Sequence, residues 1–126
     1  MVQGILLTRI GVLILGVTDL RRSLSFYRDT LGLQLRGTGG EFAFLDAGGV
    51  TLALREQKDL GQATNGRVEF VFSVDDVSAA HESLRSRGVE FRLEPRIVTG
   101  DRYAADFRDP DGHVLSIFGP SPERVL

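Results

Sequence analysis

The chain has 126 residues, of which 42% are hydrophobic and 25% charged, with a formal net charge of −2. These values are ordinary for one globular domain, and the weak acidity gives no basic surface for nucleic acid or membrane. The lack of cysteine excludes disulfides, a thiol nucleophile and thiolate metal ligands. The first seven residues carry no basic region and are too short for a signal peptide. We therefore expect a cytoplasmic protein with no membrane or nucleic-acid partner.

The first half of the chain predicts one β-α-β-β-β module. The apolar run at residues 10–17 is typical of a strand covered on both faces. Thr18 or Asp19 caps a helix in which apolar residues recur at helical spacing, and Gly32 ends it. Three further strands are predicted at residues 33–36, 41–46 and 50–55.

The second half repeats this plan after a polar, glycine-containing linker at residues 56–66. Residues 67–74 alternate between apolar and polar positions, as a strand does. Asp75 or Asp76 caps the second helix and Gly88 ends it. The buried stripe of this helix is predicted to be Val77, Ala80 and Leu84, with His81 as a candidate fourth member. Strands at 89–93, 103–108 and 113–118 follow, with a long connection at 94–101 that is suited to closing over a ligand.

Matching segments establish the repeat. Val17-Thr18-Asp19-Leu20 corresponds to Val74-Asp75-Asp76-Val77, and Asp46-Ala47-Gly48-Gly49 corresponds to Asp109-Pro110-Asp111-Gly112. We predict a single domain, 1–126, made of module one (9–55), a linker (56–66), module two (67–118) and a loose tail (119–126). One helix covers only one face of a four-stranded sheet, so the other face needs a partner. The predicted fold class is α+β, with two tandem βαβββ modules that form a cup-shaped mixed sheet.

Three segments carry a resemblance to a known family. They are the Val-Thr-Asp-Leu opening, Ser25-Phe26-Tyr27-Arg28-Asp29-Thr30-Leu31-Gly32-Leu33 and Phe107-Arg108-Asp109-Pro110-Asp111-Gly112-His113. Over roughly residues 9 to 118 the chain resembles the vicinal oxygen chelate superfamily, the glyoxalase, bleomycin-resistance and extradiol dioxygenase group. The resemblance implies paired modules in a cup, usually in a homodimer. For the enzymes of the family it also implies a divalent metal that is held by His, Glu or Gln and chelates vicinal oxygens.

The resemblance places the family's metal ligands on the first and fourth strands of each module. The corresponding positions hold Val12, Ala53, Glu69 and Ser116. A catalytic divalent site needs about three imidazole or carboxylate ligands and an open position, and only Glu69 qualifies. We therefore predict no metal and no cofactor. The alternative is a metal held by loop ligands recruited from Glu41, Asp46 or Asp101.

The two histidines and the turn aspartates have simpler interpretations. His81 is predicted to lie on a helix face or to be partly buried, and His113 to follow a hairpin turn. Neither has a second histidine at i+4 or a carboxylate at motif spacing. Asp109 and Asp111 are predicted to form the turn. The serines have no histidine in plausible range, so a hydrolase triad is unsupported.

Strand alternation groups the residues expected to line the cup. The predicted ligand-binding residues are Val12, Ile14, Ala53, Arg55, Glu69, Val71, Tyr103, Ser116 and Phe118. An apolar wall with few charged anchors suits a small organic ligand. Glu69 either forms an ion pair with Arg55 or Arg67, lies exposed at the sheet edge, or binds a cationic or hydroxyl-bearing ligand. Tyr103 either stacks on a ligand or packs in the core.

These observations predict a metal-free small-molecule-binding protein, a homodimer that sequesters an antibiotic. No catalytic residue is assigned, and Glu69 is the one candidate general base, a role that would require burial. The alternative is a divergent metal-dependent enzyme of the family, a lyase, isomerase or dioxygenase, with ligands at unusual positions. A third hypothesis is an interaction module that regulates a partner protein.

Overall fold

The computed structural model describes residues 7, 9–58 and 68–122. The chain divides into two compact units between Asp59 and Leu60, and each unit is one β-α-β-β-β module. The predicted tandem βαβββ fold is therefore confirmed. Residues 59–66 of the predicted linker and residues 123–126 of the predicted tail lie outside the described residues. The pairing of the two units into a cup stays a prediction.

No helix in the described part of the chain is long and apolar enough to cross a membrane.

The first unit packs one helical segment against a four-stranded sheet. Its elements are β1 (Val12–Val17), α1 (Leu20–Leu24), a π-helix (Ser25–Thr30), β2 (Gln34–Gly39), β3 (Phe42–Asp46) and β4 (Thr51–Glu56). The strand order is β1-β4-β3-β2. β1 runs parallel to β4, and the other neighbours are antiparallel.

The first helix begins as predicted but does not stay α-helical. Of the two predicted caps, Asp19 is the one used, because its Oδ1 accepts the Arg22 N–H at 3.1 Å. After Leu24 the backbone widens into the π-helix, and the Leu31 N–H donates to the carbonyl of Phe26, five residues back, at 2.9 Å. Gly32 ends the segment with φ of 90°.

β1 is buried on one face only, which corrects the prediction of a strand covered on both faces. Leu15 and Val17 lie under the helix and are buried, whereas Val12 and Ile14 are 52% and 60% exposed. The physical reason is that one helix can cover only one side of the sheet. The other side of the strand keeps apolar side chains without cover.

The second unit repeats the architecture with a regular α-helix. Its elements are β5 (Glu69–Ser73), α2 (Val77–Ser86), β6 (Phe91–Thr99), β7 (Arg102–Arg108) and β8 (Val114–Pro120). The strand order is β5-β8-β7-β6, with β5 parallel to β8. Asp76 caps α2, since its Oδ1 accepts the Ala79 N–H at 3.2 Å. Val77 and His81 are its buried residues, while Ala80 and Leu84 are half-buried.

β6 corrects the predicted loop at residues 94–101. The strand continues through Pro95 to Thr99 and pairs with β7 along its length. Its register shifts between Leu93 and Arg96, which is the signature of a bulge. Because β6 is an edge strand, Pro95 is tolerated there without a ladder hydrogen bond. The segment is therefore part of the sheet and not a lid.

Two predicted boundaries are wrong because the flanking residues have specific partners. Glu56, predicted to start the linker, ends β4, and its Oε2 accepts the Leu20 N–H at 2.9 Å. β8 runs to Pro120, past the predicted start of the tail at residue 119. Beyond it, the hydroxyl of Ser121 donates to that of Ser78 on α2 at 2.9 Å.

Asp109 has the predicted role in the turn of the second unit, and Asp46 has the same role in the first. Oδ1 of Asp46 accepts the Gly48 N–H at 2.9 Å. Oδ1 of Asp109 accepts the N–H groups of Asp111 and His113 at 2.9 Å and 2.8 Å. Each aspartate thus closes the same type of side-chain turn before the last strand of its unit.

The Asp46 turn predicts a pH dependence of stability. The Gly48 N–H and then the Arg36 guanidinium, whose Nη2 lies 2.6 Å from Oδ2, hold the pKa of the Asp46 carboxyl below its ordinary value of 3.8. A lowered pKa in the folded state stabilises the protein above pH 3.8, and this contribution is lost as the pH falls through the folded pKa. We expect Asp46→Asn to be less stable than the wild type at pH 6 in urea unfolding. The difference should shrink as the solution is acidified, and a constant difference would contradict the assignment.

The backbone packed against Gly119 leaves no room for a side chain at this position. A Cβ at this position would overlap the carbonyl oxygen of Val74, and the Val74 N–H already donates to Phe118 O at 3.0 Å. We expect Gly119→Ala to lower the free energy of unfolding by about 1–3 kcal/mol, as overpacking does, measured by urea denaturation. Gly37→Ala is the matched control, because its Cβ would meet nothing within 4 Å; a change within about 0.5 kcal/mol is expected there.

Candidate ligand-binding site

In each unit the sheet face away from the helix, called here the helix-free face, carries most of the predicted site residues. In the first unit the strand register sets Ile14 beside Ala53 and Ala53 beside Phe44. Val12 lies beside Thr51 on the same face. Val12 and Ile14 are exposed, whereas Ala53 is fully buried between its two larger neighbours. The result is an apolar surface built across three strands.

Two phenylalanines that the sequence interpretation missed extend this surface. The rings of Phe42 and Phe44 lie nearly parallel, 10° apart in orientation with centroids 5.5 Å apart. The predicted hairpin could have revealed them. In it, Phe42 pairs with Arg55 and Phe44 with Ala53, and both partners were already among the predicted lining residues. Stacked rings on a sheet surface are suited to contact with a flat apolar group.

Arg55 is held over this aromatic pair by a local partner. Its guanidinium carbon lies 5.6 Å from the Phe42 ring centroid, and its Nε lies 2.9 Å from Oε2 of Glu41. The sequence offered Arg55 as an ion-pair partner for Glu69, but the guanidinium pairs with Glu41 instead. Glu41 lies in the turn directly before β3, next to Phe42, and Phe42 is the β3 partner of Arg55. Arg67, the other proposed partner, lies outside the described residues.

In the second unit, β5 and β8 carry most of the remaining predicted ligand-binding residues. The register pairs Glu69 with Val114, Val71 with Ser116, and Ser73 with Phe118. Glu69 and Val71 are exposed, whereas Ser116 is only 3% exposed. Among the described residues, no ion pair or hydrogen bond involves the Glu69 carboxylate. Its exposure denies it the burial that a general base of this type requires.

Asp106 and Arg96 join this face and were not predicted. Asp106 pairs directly with Ser116 across β7 and β8. Nη2 of Arg96 lies 3.6 Å from Oδ1 of Asp106, and its Nη1 donates to the carbonyl of Ala104 at 3.1 Å. The turn at residues 109–112 sets the register of the β7–β8 hairpin. Counting back from that turn would have predicted that Asp106 lies opposite Ser116. Arg96 was missed because its segment was interpreted as a loop.

Tyr103 lies apart from the other predicted residues of this unit. It pairs with Gly119 and Ile97, on the same side of β7 as the buried Phe107. That side faces α2, so Tyr103 is on the opposite face of the sheet from Ser116 and Phe118. Of its two interpretations, this position favours packing between the sheet and the helix side.

His81 is more deeply buried in the second unit than the helix-face or partly buried position predicted for it. It is 6% exposed, and its ring centroid lies 4.4 Å from that of Phe91. Nε2 lies 3.1 Å from Oε1 of Glu94 but makes no well-oriented hydrogen bond, so the pair is a close polar contact. A shallow groove of about 480 Å³ between α2 and β6 includes both residues. It opens on the helix side of the sheet, away from the predicted lining.

The residues at the family's metal-ligand positions do not fit a divalent cation. Val12 and Ala53 offer no donor atom, and the Ser116 hydroxyl is a poor ligand beside imidazole and carboxylate. Within residues 9–58 and 68–122, no group of three or more His, Asp or Glu side chains is arranged to hold a metal.

Each of the loop carboxylates that were left as alternative ligands has an arginine neighbour. Glu41 pairs with Arg55, Asp46 with Arg36 and the Gly48 N–H, and the carboxylate of Asp101 lies 3.7 Å from Nε of Arg102.

Comparison with known proteins agrees with this architecture. The family model "Glyoxalase/Bleomycin resistance protein/Dioxygenase superfamily" matches residues 9–117. The chain is 30% identical over 114 residues to the metallothiol transferase FosB of Lysinibacillus sphaericus, covering 82% of this chain and 77% of the relative. It is 28% identical over 120 residues to the uncharacterized protein YraH of Bacillus subtilis, covering 81% of this chain and 91% of that protein.

Solved structures share the fold. A glyoxalase/bleomycin resistance protein/dioxygenase from Nocardioides superposes with a TM-score of 0.75 at 26% identity, covering 93% of this chain and 87% of that one. TnmS3, an antibiotic binding protein from a Streptomyces species, has a TM-score of 0.75 at 24% identity, covering 94% of this chain and all of its own. At that identity the likeness to TnmS3 concerns the fold alone.

Proposed function

The chain belongs to the glyoxalase/bleomycin resistance protein/dioxygenase superfamily, and we propose that it binds a small organic molecule without a divalent metal ion. The observation that carries the proposal is the donor set at the family's ligand positions. Only Glu69 among them has a side chain of the type that holds such an ion. Val12, Ala53 and Ser116 instead supply the apolar and hydroxyl surface that contacts an organic ligand directly.

The helix-free faces supply the binding energy in this proposal. Burial of apolar ligand surface contributes about 25 cal/mol per Å². The apolar side chains on each face are Ile14, Phe42 and Phe44 in the first unit, and Val71 and Phe118 in the second. Part of that gain offsets the lost freedom of the ligand, so affinity depends on a few well-placed polar groups. Sequestration of an antibiotic needs only such binding and no chemical step. We propose that role, which the bleomycin resistance proteins of the same superfamily make reasonable.

The exposed apolar side chains also support a homodimer. Val12, Ile14 and Val71 are each more than half exposed, and uncovered apolar patches of this type mark interaction surfaces. We expect the mass measured by light scattering in solution to correspond to two chains. Val12→Lys should shift it towards one chain, with Arg21→Lys on the helix side as the unchanged control. A single-chain mass for the wild type would contradict this part of the proposal.

A thermal-shift screen against metabolites and antibiotics tests the proposed function. A ligand present at 100 times its dissociation constant stabilises the folded state by about 2.7 kcal/mol, which raises the melting temperature measurably. Because no metal takes part, we expect the same increase with and without EDTA. After incubation with nickel, zinc, manganese or iron(II) and dialysis, elemental analysis should find less than one metal per chain.

An isosteric substitution tests whether the Glu69 carboxylate binds the ligand. For a ligand from the screen that carries an amine or hydroxyl, Glu69→Gln should weaken binding by about threefold to tenfold, as expected for a hydrogen bond to a charged group. Calorimetry measures the change. Glu90→Gln, which alters an equally exposed carboxylate outside the helix-free face, should leave the affinity unchanged. An equal loss in both variants would exclude a specific role for Glu69.

One observation favours a second candidate, a metal-dependent enzyme of the family. The relative that is 30% identical is a metallothiol transferase by name. That candidate predicts a stoichiometric metal after dialysis and a ligand response that EDTA abolishes. Either result would replace the metal-free proposal.

A further inference from the structure

We propose that Arg96, Asp106 and Ser116 form the polar anchor of the second unit's helix-free face and bind a neutral carboxamide group of the ligand. The inference rests on the proposed function, because it names the chemical group that a metal-free site of this kind would recognise.

Two of these side chains have hydrogen-bonding capacity that the protein leaves unused. Ser116 is 3% exposed, and its hydroxyl makes no hydrogen bond among the described residues. The Asp106 side chain is 17% exposed, and its contact with Arg96 at 3.6 Å is longer than a hydrogen bond. The buried side-chain nitrogen or oxygen that lacks a partner in the described part of the chain is Nε2 of His81, so the oxygens of Ser116 and Asp106 are accessible to an incoming group. A ligand that reaches them can add hydrogen bonds there.

The strand register brings the three groups together on one patch. Asp106 and Ser116 lie directly opposite each other on β7 and β8, which places their Cβ atoms about 4.5–5.5 Å apart. Arg96 lies on the next strand, paired with Ala104. Val71 flanks Ser116 on β5, and Val114 and Phe118 precede and follow it on the same side of β8. The three polar groups therefore have apolar neighbours on β5 and β8.

The charges select a neutral group. A ligand carboxylate would be attracted by Arg96 but repelled by Asp106, and an ammonium group would meet the reverse. A carboxamide avoids both penalties, because its oxygen can accept from Arg96 or Ser116 while its NH₂ donates to Asp106. A paired cation and anion flanking a hydroxyl thus match a group that both donates and accepts.

The test compares three probes that share one aromatic ring system: naphthalene-2-carboxamide, 2-naphthoate and 2-(aminomethyl)naphthalene. Each is titrated into the ¹⁵N-labelled 126-residue protein with EDTA present. We expect the carboxamide to bind about fivefold more tightly than either ion, the ratio that one net hydrogen bond provides. The largest chemical-shift changes should be at the amides of Val71, Asp106 and Ser116.

Two charge substitutions distinguish recognition from a structural role. Asp106→Asn leaves Arg96 without its counter-charge, so the preferred probe should become the naphthoate. Arg96→Gln leaves Asp106 alone, so the preference should move to the amine. A structural role alone would weaken all three probes together. If Arg96→Gln does not fold, Arg96→Lys keeps the positive charge and should keep the carboxamide preference.

The role of the Ser116 hydroxyl is tested by comparison with a second serine on the same face, Ser73. Ser116→Ala should weaken binding of the carboxamide about fivefold. Ser73→Ala should leave the affinity unchanged; Ser73 lies on the edge strand β5 and pairs with Phe118. Tighter binding of either ion to the wild type, an unchanged probe order in both charge variants, or no perturbation of this face would overturn the inference. A library ligand that binds equally well with and without EDTA, and equally to both charge variants, would overturn it while leaving the proposed function intact.

Discussion

One helix for every four strands is the constraint on which the rest of the structure depends. In each unit the helix buries one face of the sheet, with Leu15 and Val17 of β1 and Phe107 of β7 on the covered side. The opposite face is built from the same strands, so its side chains are fixed by the same backbone hydrogen bonds. That face combines the rigid backbone of a hydrogen-bonded sheet with uncovered apolar side chains. Rigidity of this kind reduces the entropy that a binding site loses when a ligand is ordered on it.

The helix-free faces also show how a fold can keep its geometry and change its chemistry. The strand positions that carry metal ligands in the enzymes of the superfamily still point to the helix-free side, but here they present methyl groups, a hydroxyl and one exposed carboxylate. In a metal centre, affinity and orientation come from one ion. In a metal-free site of the kind proposed here, they come from many weak contacts, and the polar groups next to Ser116 become more important than the original positions. The proposed anchor and its neighbours draw on β5, β6, β7 and β8.

The sequence predicted those features that depend on local backbone chemistry. Asp19, Asp76 and Gly32 mark helix ends through interactions within a few residues, and Asp109 closes its turn in the same local way. The features that were missed depend on strand pairing across an irregular register. The shift between Leu93 and Arg96 sets which side chains of β6 reach Asp106, and no periodicity in that segment reveals it. Arg55 was offered as one of two arginine partners for Glu69 because strand alternation groups both residues among the lining, whereas the structure places Glu41 beside Arg55.

The π-helix explains a small inequality between the two halves of the chain. Val17 and Gly32 are 15 residues apart, while their counterparts Val74 and Gly88 are 14 apart. The first segment therefore has one residue more to fit between the same two landmarks. The wider turns of the π-helix between Ser25 and Thr30 accommodate that residue within the helical segment. The two halves thus keep matching landmarks at both ends of a segment that differs in length by one residue.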